Sequence, residues 1–127
     1  LGLVDAHTIY DASPRSVGEL VIKPSRGGLP MLTGFENHQG LTRLGDDMPP
    51  LGLVRSGIGN GFSKQEGVWH GNVFGSYMHG PVLARNPELA DAVLQCAIGP
   101  MKAFDDPLAQ AFAKERRMTL GGITTES

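Results

Sequence analysis

His79 is the residue whose type and position most directly suggest chemistry. It ends an alternating apolar run, residues 68–78, and a Gly-Pro turn follows it at once. An imidazole exchanges a proton near neutral pH, so a histidine at a strand end is a candidate general base. The same position suits a histidine that only completes a turn, and no residue of this chain has a suitable setting for a nucleophile. On the residues alone, both interpretations of His79 stay open.

Arg15 is the second candidate for a functional role. It lies in the segment DASPRSVG, between Pro14 and Gly18, where the composition predicts a turn. A guanidinium held in such a turn can bind a small carboxylate through two parallel hydrogen bonds. An arginine in a loop is more often a solvated surface charge, so the residue alone allows either role.

Three adjacent polar residues, Glu36, Asn37 and His38, follow an apolar stretch that predicts a strand. Such a group can orient a ligand, or its carboxylate and amide can hold backbone groups in a turn. We favour the hydrogen-bonded turn.

Other features argue against further chemistry. Cys96 lies among apolar residues at helical spacing without a basic neighbour to activate it, so we predict a buried structural thiol. The glycine-rich segment SGIGNGF matches neither the dinucleotide-binding nor the Walker pattern, and a hairpin connection explains it better. The four histidines lack zinc-site spacing and no cysteine pair assists them, so we predict neither a metal nor a cofactor.

The composition limits the class of protein and of partner. The 127 residues include 11 Lys and Arg against 13 Asp and Glu, without a basic run, which argues against a nucleic-acid surface. No apolar stretch approaches the roughly 20 residues of a membrane span, and no signal peptide is visible. The single cysteine excludes an internal disulfide and is typical of a reducing compartment, so we predict a cytoplasmic protein. Because the chain opens without methionine, in a predicted strand, we interpret residues 1–127 as part of a longer protein.

Alternation and turn residues predict strands followed by two helices. The predicted strands cover residues 2–5, 17–22, 32–36, 51–55 and 68–78. Asn86 as N-cap and Pro87 mark the start of the first helix, and Gly99 ends it. The second helix begins before Pro107, with Leu108, Ala111 and Phe112 along one face, and the tail LGGITTES is expected to be frayed. This order predicts part of an α/β or α+β domain.

Three segments together resemble one protein family. They are GFENHQGLTRLG, PLGLVRSGIGNG and GSYMHGPVLARNPELADAVL, residues 34–45, 50–61 and 75–94. They are similar to the C-terminal half of the CobB/CobQ-like class I glutamine amidotransferases, and most strongly to the GatD-type glutaminase subunit of lipid II isoglutaminyl synthase. The resemblance covers nearly the whole chain. It implies that residues 1–127 are the C-terminal portion of one flavodoxin-like α/β domain.

The resemblance also implies roles for the two candidate residues. In this family a cysteine thiolate attacks the side-chain amide carbon of glutamine, and a histidine manages the protons. His79 matches that catalytic histidine, and Arg15 matches an arginine that holds the glutamine substrate. The family's glycine-flanked nucleophile belongs to the N-terminal half, and Cys96 is out of register with it. The chain alone is therefore expected to be inactive.

A departure at Pro81 implies a partner. Many class I glutaminases have a glutamate at this position, two residues after the histidine, which orients the imidazole. The GatD-type group resembles this chain in lacking the acid, and an aspartate of the partner ligase takes its role. The resemblance thus implies a heterodimer with a Mur-ligase-like, ATP-dependent subunit, which uses the ammonia to amidate the D-glutamate of lipid II in peptidoglycan synthesis. Two alternatives remain: an amidotransferase domain of cobyric acid or cobyrinate synthesis, and a non-catalytic, partner-binding module.

Overall fold

The computed structural model describes residues 2–120. Within these residues, eight strands precede three helices. The strands are β1 Ala6–Tyr10, β2 Ser16–Pro24, β3 Leu32–His38, β4 Gly40–Leu44, β5 Gly52–Ser56, β6 Gln65–Glu66, β7 Val68–His70 and β8 Val73–Gly75; the helices are α1 Val82–Arg85, α2 Pro87–Ile98 and α3 Pro107–Leu120. The order of strands and then helices confirms the predicted α/β class.

Four strands form the central antiparallel sheet, in the order β3-β2-β5-β6. Strands β2 and β3 pair from Ser16 opposite His38 to Ile22 opposite Leu32. Side chains alternate between the two faces of a strand, and directly opposed residues share a face. Along this pair, the even-numbered residues therefore lie on one face of the sheet and the odd-numbered residues on the other.

The even-numbered face of β2 and β3 carries the hydrophobic core. The core cluster consists of Leu20, Ile22, Leu32, Leu51, Trp69, Met78 and Leu89. Met78 crosses this face at Gly34, where a Cβ would lie only 2.6 Å from the Met78 side chain. Any larger residue at position 34 would push Met78 out of the core, so this contact fixes the segment that leads into His79.

The odd-numbered face is closed at one end and open at the other. Val21 and Thr33 are buried, whereas Val17 is 60 % exposed and Asn37 is also exposed. The open end lies where β2 starts and β3 ends. It is the part of the sheet on which a ligand can reach side chains.

Two of the predicted strands are wrong. No strand covers residues 2–5, because Gly2 has a φ of 64° and the Ala6 N–H donates to the Val4 carbonyl, which makes a turn. The run 68–78 is divided into the hairpin β7–β8, since the chain turns at Gly71 with a φ of 57°, a conformation that favours glycine. Strand β4, which pairs with β1, was not predicted.

The two predicted helices are present as α2 and α3; Leu89, Val93 and Cys96 of α2 face the core as predicted, whereas the packing of α3 differs from the prediction. On α3, Leu108 is 80 % exposed, whereas Ala113 is fully buried. The small side chain of Ala113 allows the helix to approach its neighbours closely, so the larger apolar face points outward. Asp106 caps α3 by accepting from the Leu108 and Ala109 N–H groups. Of the tail predicted to be frayed, residues 120–127, Leu120 is the last residue of α3, and residues 121–127 lie outside the described residues.

Candidate active site

The backbone of His79 adds one more step to the edge of the central sheet. Its N–H donates to the Phe35 carbonyl at 2.7 Å, and the Phe35 N–H donates to the His79 carbonyl at 3.1 Å. Since opposed residues of an antiparallel bridge share a face, His79 lies on the odd-numbered, open face. The residue is exposed. Its ring makes no hydrogen bond to other residues of the 2–120 range.

Two buried residues anchor the segment that follows His79. At the end of α1, the Arg85 guanidinium Nη2 donates to Glu19 Oε2 on β2 at 2.6 Å. The Asn86 side chain donates to the Thr33 carbonyl at 2.8 Å and accepts from the Thr33 N–H at 2.9 Å. Asn86 is the N-cap of α2, as predicted, but its side chain makes no hydrogen bond to the helix N–H groups, because its amide binds β3 instead. The contacts to β2 and β3 tie the turn after His79 to the sheet.

Arg15 lies at the open end of the same face. Its Nε and Nη2 donate to Asn37 Oδ1 at 3.1 and 2.8 Å, and Nη2 also reaches the Asn37 carbonyl at 3.3 Å. The guanidinium is exposed. It is thus neither a freely moving surface charge nor part of an ion pair among the described residues.

The pairing register brings Arg15 and His79 onto one face. Asn37, which holds Arg15, and Phe35, which pairs with His79, are both odd-numbered residues of β3. They are two positions apart, about 7 Å along a strand. One amino acid with an extended side chain can span such a separation. The site therefore has a cation at one end and an imidazole at the other.

Glu36 and His38 point to the opposite, core face. Glu36 accepts from the Ile58 and Gly59 N–H groups at 2.7 and 2.8 Å and contacts His38 Nε2 at 3.1 Å. The His38 ring stacks on Tyr77 with centroids 3.8 Å apart. The carboxylate holds backbone groups as predicted, but it lies in a strand rather than a turn. Because Glu36 already occupies two amides of the glycine-rich segment, those amides are not free to bind a phosphate.

Cys96 lies away from this site. It is half-buried on α2 and packs against the core, less enclosed than the predicted buried thiol. With Trp69, Phe74 and Val93 it lines a cavity of about 440 Å³. None of these residues belongs to the open face of β2 and β3, so the thiol and His79 are not brought together.

Within residues 2–120, no three His, Cys, Asp or Glu side chains are grouped so that they could hold a metal ion. No helix of this range has the length and apolar character needed to cross a bilayer. Pro81, exposed beside the site, has no carboxylate to orient the imidazole.

The part of the chain that forms these strands matches a known family of domains. Residues 1–87 match the model of the CobB/CobQ-like glutamine amidotransferase domain. The match covers more than half of the chain, so the chain belongs to this family.

The chain is also similar to individual members of this family. The chain is 40% identical over 123 residues, 91% of its length, to the glutamine-hydrolyzing lipid II isoglutaminyl synthase subunit GatD of Streptococcus pneumoniae. It is 39% identical over 98 residues, 76% of its length, to subunit GatD of Staphylococcus aureus. A probable cobyric acid synthase of Methanosphaera stadtmanae is 38% identical over 87 residues, 63% of the chain. The chain spans 47%, 38% and 17% of these relatives, respectively.

Sequence reasoning missed two parts of the site. It treated Asn37 with its neighbours as one polar group, although alternation along β3 places Asn37 on the face opposite Glu36 and His38. It also assigned no role to Arg85, and it did not predict that the side chain of Asn86, the N-cap of α2, binds the backbone of β3. The position of Arg85 and Asn86 between two predicted elements, directly after the histidine turn, was the available signal.

Proposed function

We propose that this chain supplies half of a glutaminase active site, with His79 moving protons and Arg15 binding the α-carboxylate of glutamine. The observation that carries the proposal is that His79, which pairs with Phe35, and Arg15, which binds Asn37, both lie at the open face of β3. Membership in the amidotransferase family supports the same roles. In this account residues 1–127 are the C-terminal portion of one flavodoxin-like domain, and the nucleophilic cysteine lies in residues outside this chain.

The proposed reaction uses His79 twice. The imidazole takes the proton of the cysteine thiol, and the thiolate attacks the side-chain amide carbon of glutamine. The tetrahedral adduct collapses as the C–N bond breaks, and the imidazolium gives its proton to the leaving ammonia. His79 then takes a proton from water, which attacks the thioester, and gives that proton to the leaving thiolate, so that glutamate and the free thiol are released. An exposed imidazole beside a substrate-binding arginine is suited to both steps.

We infer that a partner receives the ammonia. The names of two relatives describe a glutamine-hydrolyzing subunit of lipid II isoglutaminyl synthase, which supports an assembly with a ligase subunit. We propose a heterodimer with a Mur-ligase-like, ATP-dependent chain that amidates the D-glutamate of lipid II in the cytoplasm during peptidoglycan synthesis. Pro81 supports the partner, because an acid that orients His79 has to come from another segment or chain.

One alternative has its own observation. The similarity to a probable cobyric acid synthase supports an amidotransferase domain that feeds ammonia to a cobalamin precursor. The glutaminase chemistry of His79 and Arg15 would be the same, and only the acceptor would differ. That similarity covers less of the chain than the similarity to the GatD subunits, so we favour lipid II as the acceptor.

The test is a glutaminase assay on the proposed full-length protein, mixed with its ATP-dependent partner and supplied with glutamine. We expect glutamate and ammonia in equal amounts, and amidated lipid II when that acceptor and ATP are present. Amidation of cobyrinate but not of lipid II would favour the alternative acceptor. A complex that binds its partner and releases no ammonia from glutamine would show a non-catalytic module.

A further inference from the structure

Two arginines on the same face of the sheet are held in opposite ways. Arg85 is buried, and a carboxylate, Glu19 Oε2, accepts its hydrogen bond at 2.6 Å. Arg15 is exposed, and its acceptors are the side-chain and backbone oxygens of Asn37. An ion pair neutralises Arg85, whereas a neutral amide leaves the full charge on Arg15.

We propose that Asn37 is a positioning residue that presents Arg15 to the carboxylate of the substrate without neutralising it. The inference rests on the proposed function, since it assumes that Arg15 binds the α-carboxylate of glutamine. It gives a specific role to a residue for which the sequence patterns favoured only a turn and the comparisons provide no role. The residue is an amide rather than an acid because a carboxylate at this position would neutralise Arg15.

The hydrogen-bond geometry supports this assignment. Asn37 Oδ1 takes up the edge of the guanidinium formed by Nε and Nη2. The two N–H groups of Nη1 have no acceptor within residues 2–120 and stay available at the open face. A guanidinium fixed along one edge has lost much of its rotational freedom before the ligand arrives, which lowers the entropic cost of binding.

The loop that carries Arg15 is held from the same end of β3. Gln39 Nε2 donates to the Ser13 carbonyl at 2.8 Å, and the Asp11 N–H donates to the Gln39 carbonyl at 3.3 Å. The Asp11 carboxylate turns back into its own loop, where it accepts from the Ser13 N–H. Asp11 and Glu19 are the acidic residues nearest in sequence to Arg15, and neither makes an ion pair with it, since Glu19 pairs with Arg85. Hydrogen bonds of Gln39 and Asp11 thus hold the loop in place, and no carboxylate within residues 2–120 neutralises the charge of Arg15.

The first experiment is a double-mutant cycle in the full-length complex, with KM and kcat measured for glutamine. Arg15→Ala should raise KM by about 10- to 150-fold, the loss expected for a charge-assisted contact. Asn37→Ala should raise KM within the range of about 2- to 150-fold typical of coupling between contacting residues, with kcat close to wild type. Because Asn37 acts only through the contact of Arg15 with the substrate carboxylate, the double variant should have the KM of Arg15→Ala alone.

The second experiment separates positioning from a structural role. Asn37→Asp keeps an oxygen in the place of Oδ1 and can bind Arg15 more strongly, so the fold should be at least as stable. The added charge should neutralise Arg15 and repel the substrate, so KM should rise at least as much as in Asn37→Ala. A residue needed only to fix the loop would instead show wild-type KM in Asn37→Asp. Asn72→Asp, in the exposed β7–β8 turn, controls for a general effect of charge.

The outcomes distinguish this inference from the proposed function. If Arg15→Ala raises KM but Asn37→Ala or Asn37→Asp leaves it at the wild-type value, the positioning role is wrong and Arg15 still binds substrate. If Arg15→Ala itself leaves KM unchanged in a complex that hydrolyses glutamine, Arg15 does not bind the carboxylate, and the role of Asn37 is overturned with it.

Discussion

His38 and His79 carry the same imidazole but have opposite surroundings. His38 is buried, contacts Glu36 and the Gly40 carbonyl, and stacks on Tyr77. His79 is exposed and uses only its backbone to join the sheet. At the scale of single residues, polar groups that serve the fold have their hydrogen bonds satisfied internally, whereas groups available for chemistry do not.

Glu66 is a buried residue whose hydrogen bonds are not all satisfied, and this affects the stability of the fold. It is fully buried, and although Ser76 and the Tyr77 N–H bind one carboxylate oxygen, the other has no partner among the described residues. Burial is the largest effect and raises the pKa of Glu66 above its usual value of 4.5, while the hydrogen bond from Ser76 lowers it. The folded protein therefore favours the protonated carboxyl more than the unfolded chain does.

The sign of the pH dependence follows from that raised pKa. Below the unfolded pKa, Glu66 is protonated in both states and its burial costs least; stability is lost as pH rises through the folded pKa. In Glu66→Gln this loss should be absent, so the free energy of unfolding should fall less steeply with pH than in wild type. Urea unfolding of the full-length protein at several pH values above 4.5 measures the difference. Parallel pH profiles would contradict the assignment.

Cys96→Ala tests whether the only thiol of this chain takes part in the reaction. Because Cys96 lines a cavity on α2 away from the open face, glutamine-fed turnover of the full-length complex should stay near wild type. The loss of a half-buried side chain should cost on the order of 1 kcal/mol in unfolding free energy. A folded variant without glutaminase activity would make Cys96 the nucleophile.

At the scale of elements, Asn86 joins the start of α2 to β3. Its side chain is fully buried and makes hydrogen bonds with both backbone groups of Thr33 and with the Val82 carbonyl. Asn86→Ala would leave these buried groups unsatisfied, at a cost of about 2–5 kcal/mol in unfolding free energy. Gln95→Ala, at an exposed position of the same helix, should change it by no more than about 0.5 kcal/mol. Equal urea midpoints for the two variants would contradict this anchoring role.

The sequence predicted elements well where local signals agree with tertiary packing. The turn residues around α2 and α3 predicted both helices correctly, and the glycines after β5 predicted its hairpin connection to β6. The split of the run 68–78 was missed because its apolar pattern outweighed one glycine. The outward direction of Leu108 was missed because helical periodicity does not show which face meets the protein.

The site was predictable only in part, for a related reason. His79 and Arg15 were recognised from their local settings and from family resemblance. Their common face depends on the register of β2, β3 and the His79 bridge, which is a long-range property. The contact of Arg15 with Asn37 joins residues 22 positions apart, so no local pattern could have revealed it.

At the scale of the whole molecule, the proposed function assigns binding and proton transfer to opposite ends of the open face. Arg15 at one end should govern glutamine affinity, and His79 at the other should govern proton transfer. The ligase reaction belongs to the partner chain in this account. A change at His79 should therefore stop only the steps that need glutamine hydrolysis.

The most direct test compares glutamine-fed with ammonia-fed amidation for His79→Ala in the full-length complex. Without its general base, glutamine-fed turnover should fall by at least the roughly 10²- to 10⁴-fold typical of lost acid–base catalysis. Ammonia-fed turnover and glutamine binding should remain near wild type. His70→Ala, an exposed histidine on β7, should leave both activities unchanged. Glutamine-fed turnover near wild type in His79→Ala would contradict the account, because His79 would then be only a residue of the turn.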